Sequence, residues 1–93
     1  MSRNQQILVA DDEPNLRRVL EAQLRRDGFD VIGVEDGRAA LEALAEHHVD
    51  VVITDLRMPH VDGLALLKHV VAEFPRVPVI MITAHGTVDT AVE

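Results

Sequence analysis

The sequence predicts an α/β domain in which a parallel sheet is covered by helices on both faces. Two observations predict it. Four short runs are rich in Val and Ile: Ile7-Leu8-Val9-Ala10, Val31-Ile32-Gly33-Val34, Val51-Val52-Ile53 and Val79-Ile80-Met81-Ile82. Their length and β-branching suit strands, and their unbroken apolarity suits strands buried on both sides. Between and after them lie segments whose apolar residues recur with helical period, giving the order β-α-β-α-β-α-β-α. Parallel neighbours need crossovers, so this alternation calls for a doubly wound sheet.

Each element follows in chain order. After the first run, Leu16, Val19, Leu20 and Leu24 line one side of a helix, while Arg17, Arg18, Glu21 and Arg25 take the other. Pro14 suits the first helical turn and Gly28 the C′ position. Ala40, Leu41 and Leu44 mark a second helix, with Asp36 as its N-cap. Leu64, Leu67, Val70, Val71 and Phe74 mark a third, opened by Asp62-Gly63 and closed before Pro75. The segment Thr87 to Glu93 starts with a capping threonine and carries Val88, Ala91 and Val92 on helical spacing, so a fourth helix is expected to begin there.

Composition narrows the function. The 93 residues make one small domain, and 47% hydrophobic content suits a packed core rather than a disordered segment. Nine basic against 16 acidic residues leave a net charge of −7, which disfavours direct nucleic-acid binding and offers no polybasic patch for a membrane. Phe29 and Phe74 are the only aromatic residues, too few for base stacking. The absence of cysteine excludes disulfides and thiolate metal sites. No signal-peptide pattern or membrane-length apolar run is present, so a cytoplasmic location is expected.

The chemistry gathers at strand ends. Open parallel sheets bind ligands outside the carboxyl ends of their strands. Here the first strand runs into Asp11-Asp12-Glu13, the third ends in Thr54-Asp55, and the fourth in Thr83-Ala84-His85. If the first and third strands are neighbours, three carboxylates converge. Like charges at such range resist joint ionisation unless a cation lies among them. Oxygen donors without thiolates or paired histidines favour a hard divalent ion, and magnesium is the natural choice. Magnesium beside a carboxylate also suits phosphoryl transfer to an aspartate, with a strand-end hydroxyl to hydrogen-bond the arriving group. Each feature alone has a plainer explanation: an acidic pair after a strand is commonly a solvated loop, and a strand-end Asp or Thr commonly structural. Their joint occurrence at three strand ends carries the functional reading. His47, His48, His60 and His69 lack ligand spacing and read as surface residues, and His85 reads as solvated or packed. Arg17, Arg18, Arg25 and Arg26 read as a solvated helix face.

The stretches ILVADDEP, VVITDLRMPHVDGLALL and VPVIMITAHG resemble the receiver domains of two-component response regulators, and the similarity runs from about Ile7 to the end. Residues Thr83 to Val88 most resemble receivers of enhancer-binding transcription activators. The resemblance implies a flavodoxin-like fold with strand order 2-1-3-4, in which Asp55 accepts a phosphoryl group from a sensor histidine kinase. It implies Asp12 as a direct Mg2+ ligand, Asp11 holding the metal mainly through water, and the backbone carbonyl of Arg57 completing the protein ligands. Thr83 resembles the switch hydroxyl and Ala84 the small residue beside it. The implied role is a phosphorylated switch controlling an output domain, not an enzyme. The alternative is a receiver-derived fragment acting only as an interaction module. An aspartate phosphatase is weaker, because such enzymes place a second acid two residues after the nucleophile, where Arg57 stands.

One departure accompanies the resemblance. The chain is expected to be a receiver over residues 1–93, truncated after the start of its fourth helix. The family's fifth strand, fifth helix and the active-site lysine after that strand have no counterpart, and Lys68, the single lysine, falls on the third helix. The fourth strand is then expected to be an exposed sheet edge, favouring self-association through it.

Overall fold

Backbone ladders join the apolar runs into one five-stranded sheet of order β2-β1-β3-β4-β5. The computed structural model describes residues 4–82 and the backbone of 88–91. Its elements are β1 (Gln6–Ala10), α1 (Pro14–Arg26), β2 (Asp30–Val34), α2 (Gly37–Glu46), β3 (Val51–Asp55), α3 (Gly63–Glu73), β4 (Val79–Ile82) and β5 (Val88–Ala91). The first four strands are parallel in the expected order 2-1-3-4. Leu8 lies level with Ile32 on β2 and Val52 on β3, and Val52 level with Val79 on β4.

Helix boundaries follow cap chemistry. Glu13 accepts the Asn15 N–H at 2.8 Å ahead of α1, which opens on Pro14. Gly28, at φ 96°, turns the chain after α1 in the left-handed region that suits glycine at C′. Asp36 accepts the Ala39 N–H and Asp62 the Ala65 N–H, each at 2.8 Å, opening α2 and α3. Caps of this kind are worth about 1 kcal/mol each.

Alternation along the strands splits the core in two. Leu8, Ala10, Val52 and Val79 face Ala40, Ala43 and Leu44 of α2 and Leu66 and Val70 of α3. Ile7, Val9 and Ile53 face the other way, where Leu20 and Leu24 of α1 and Phe29 pack against them.

The C-terminal segment differs from the helix expected over Thr87 to Glu93: residues Val88–Ala91 form β5, antiparallel to β4. Ile82 lies level with Val88 and Val79 with Ala91. Pairing favours the strand. The outer backbone groups of β4 offer a ready ladder, and Val88 and Thr90 are β-branched residues that suit it. The β4 edge, expected to lie exposed and drive self-association, therefore carries β5 instead.

Candidate functional site

The parallel register brings the strand ends level. Ala10 sits opposite both Val34 and Thr54, and Asp55 opposite Ile82, so the residues after β1 and at the end of β3 share one rim of the sheet. There Asp11, Asp12 and Asp55 each offer a carboxylate oxygen, all within 4.8 Å of one another. The convergence expected of these three is what the structure places at the rim.

Their environments differ. Asp11 is buried at 1% exposure, Asp55 is half-buried and Asp12 is exposed. The backbone N–H of Asp11 donates to the Val34 carbonyl at 3.1 Å, extending the β1–β2 ladder by one residue. Its Oδ1 accepts the Glu13 N–H at 2.8 Å, while Oδ2 is buried without a hydrogen-bond partner among the described residues. Burial pushes the Asp11 carboxyl above its ordinary range; the Glu13 N–H opposes this, the Asp55 and Asp12 charges add to it, and Arg17 opposes it. A buried carboxylate oxygen with no donor is costly by itself, and a cation placed among the three acids would satisfy it. All-oxygen donors fit a hard divalent ion such as Mg2+.

Loop packing fixes the acceptor side. Thr54 is fully buried, and its hydroxyl donates to the Asp55 carbonyl at 3.0 Å. The Leu56 N–H donates to the Ile82 carbonyl at 3.1 Å, and the Gly63 N–H to the Leu56 carbonyl at 2.8 Å. Gly63 packs so closely on Asp55 that a Cβ there would overlap the Asp55 carbonyl. The loop that holds Arg57 and Met58 is thus folded back onto the end of β3. Arg57 is exposed in it, two residues past Asp55. Thr83, Ala84 and His85 lie outside the described residues. His47, His48 and His60 are exposed as expected, and His48 pairs with Asp50 at 2.7 Å, away from the acids.

One member of the site escaped the sequence reading. Arg17 is not part of a solvated face: its side chain is 19% exposed, and its Nη1 donates to the Asp11 carbonyl at 2.6 Å. Arg18, Arg25 and Arg26 are exposed as read. Nothing local in the sequence sets Arg17 apart from its exposed neighbour Arg18 in the same turn of α1.

Comparison with known proteins defines the class. The chain matches the response regulator receiver domain family over residues 7–93 and belongs to that family. It is 45% identical to the regulatory protein AtoC of Escherichia coli K12 over 87 residues, covering 94% of this chain and 19% of AtoC. It is equally 45% identical to the E. coli K12 DNA-binding transcriptional regulator NtrC over 86 residues, covering 92% of this chain and 18% of NtrC. The chain thus spans about one-fifth of these relatives. Among solved structures it resembles the Thermotoga maritima response regulator protein TrrA in complex with Mg2+ and BeF, with TM-score 0.82 and 34% identity over 86% of this chain and 70% of that one. Among the described residues, no helix is long and apolar enough to cross a membrane.

Proposed function

We propose that this receiver domain accepts a phosphoryl group on Asp55 from the phosphohistidine of a sensor kinase, with Mg2+ held by Asp11, Asp12, Asp55 and the Arg57 carbonyl. The P–N bond to the kinase histidine breaks as a P–O bond to an Asp55 carboxylate oxygen forms, and the histidine leaves. Bound Mg2+ would supply charge neutralisation for the transferring oxygens. The chain's own residues do the rest. The folded-back loop and Gly63 keep the Asp55 backbone fixed, so its carboxylate is presented at the rim without a large ordering cost. Asp12, which is exposed, and Asp11, which is buried, would both hold the ion. The Thr83 hydroxyl would hydrogen-bond the new phosphoryl group, and Ala84 would leave room for it. The output would be control of transcription through a further domain, by analogy with the DNA-binding transcriptional regulator NtrC.

The observation that carries this reading is the convergence of the three carboxylates, with a buried Asp11 oxygen among them that has no hydrogen-bond partner among the described residues. Beryllofluoride with Mg2+, a mimic of the aspartyl phosphate, tests it by amide NMR. Shifts around Asp55 and along β4 are expected in the wild type and none in Asp55→Asn. Equal spectra for the wild type with and without the reagents would overturn it and favour a pure interaction module.

A further inference from the structure

Beyond the carboxylates, the side chain most closely tied to the site is Arg17. Its Nη1 donates to the Asp11 carbonyl at 2.6 Å, and its Nε lies 3.6 Å from Glu21 Oε2. Glu21 is in turn 3.4 Å from Arg25, whose Nη2 donates to the Val31 carbonyl of β2 at 3.2 Å. Glu21 lies directly over Gly33, where a Cβ would overlap its carboxylate. A ladder of charged groups therefore runs from the Asp11 backbone along α1 to the β2 edge. Arg17 and Glu21 are 19% and 18% exposed, so their contacts are screened far less than those of a surface pair.

Both backbone groups of Asp11 are engaged: the N–H with Val34 of β2 and the carbonyl with Arg17 of α1. The two peptides flanking Asp11 are thus held, the one before it by β2 and the one leading to Asp12 by the Arg17 guanidinium. The second of these sets the direction of both carboxylates. We propose that Arg17 is a positioning residue for the acidic site, its guanidinium braced by Glu21 and holding the Asp11 carbonyl so that Asp11 and Asp12 face Asp55. This rests on the metal-binding reading above and extends it to a residue outside the ligand set.

Positioning and simple charge predict opposite signs. As a mere neighbouring cation, Arg17 would repel Mg2+, and its removal would tighten binding. As a brace, its removal loosens the turn and weakens binding, by about tenfold if it behaves as supporting residues of metal ligands do. Mg2+ titration of the chain, followed by amide NMR, separates the two. Arg17→Gln is expected to bind about tenfold more weakly than wild type. Without metal, the Glu13 amide, which bonds Asp11 Oδ1, is expected to exchange faster in this variant. Gly33→Ala provides a charge-neutral second lever, because the methyl displaces the flexible Glu21 side chain; about threefold weaker binding is expected, a fraction of the full effect. Equal or tighter binding by Arg17→Gln would overturn the proposal. Should that variant not fold, unchanged affinity in Gly33→Ala would do the same. Failure of the wild type to bind Mg2+ would instead remove the metal reading itself, and the proposal with it.

Discussion

On one face of the sheet, α2 and α3 close over Leu8, Ala10, Val52 and Val79 with Ala40, Ala43, Leu44, Leu66 and Val70, all of them buried. On the other, α1 is a single helix without one buried residue, covering Ile7, Val9 and Ile53 with half-exposed leucines. The first face is held by apolar packing. The second adds charged contacts, Arg17 to Asp11 and Arg25 to β2, to a thin apolar layer. The carboxylate cluster sits where the two meet: Asp55 is fixed from the α3 side by Gly63, Asp11 from the α1 side by Arg17. Stability and aim of the site thus come from different halves of the molecule.

The largest effect that checks this division is on the packed face. Leu66 is fully buried between α3 and the sheet, and Leu66→Ala should cost about 2–5 kcal/mol in urea denaturation. That is a large share of the 5–15 kcal/mol typical of a whole domain, so partial unfolding at room temperature is expected. Val70→Ala, one helical turn on and equally buried, should cost about 1.5–3 kcal/mol for two methyl groups and the cavity left behind. Losses below 1 kcal/mol at both positions would mean that this face is not the main source of stability.

How much of this was legible in the sequence depends on range. Strands β1 to β4 and their helices were readable because β-branched runs and helical periods are local, and Pro14, Asp36 and Asp62 are local punctuation. The three carboxylates were readable because parallel alternation forces strand ends onto one rim. Two features needed the third dimension. Val88–Ala91 has weak preferences of its own, and pairing with β4 decides its conformation. Arg17 resembles any charged residue on an amphipathic helix, and only the fold brings it to the Asp11 carbonyl.

At the boundary between the faces, Asp11 links stability to pH. Burial raises its folded pKa above the unfolded value of 3.8. Between those two values the folded protein holds a proton that the unfolded chain has released. Its contribution to stability is therefore lost as pH rises through that window, and at neutral pH the ionised group destabilises the metal-free fold. Asp11→Asn should remove this loss. Relative to wild type, the metal-free variant should gain stability between acid and neutral pH, while Mg2+ should no longer stabilise it. Wild-type protein with saturating Mg2+ should gain about 2.7 kcal/mol when the ion is at a hundred times its Kd. Urea midpoints at both pH values, with and without Mg2+, measure both effects. A variant less stable than wild type at neutral pH without metal would show that the buried charge is compensated.

The smallest expected effect tests the thinner face. Val19 on α1 is 53% exposed, against none for Val70 on α3, so the same Val-to-Ala change should behave oppositely at the two sites. Val19 loses little burial on truncation, and alanine is the better helix former by a few tenths of a kcal/mol. Val19→Ala should therefore lie within about 0.5 kcal/mol of wild type, on the stabilising side. The measurement is best made at two protein concentrations. If a second copy covers the α1 face in solution, Val19 is buried there. Its truncation would then cost stability at the higher concentration and not at the lower. A concentration-independent, near-zero effect leaves the α1 face as solvent-exposed as the single chain shows it, with its helix held chiefly by Leu20, Leu24 and the Arg17–Glu21–Arg25 ladder.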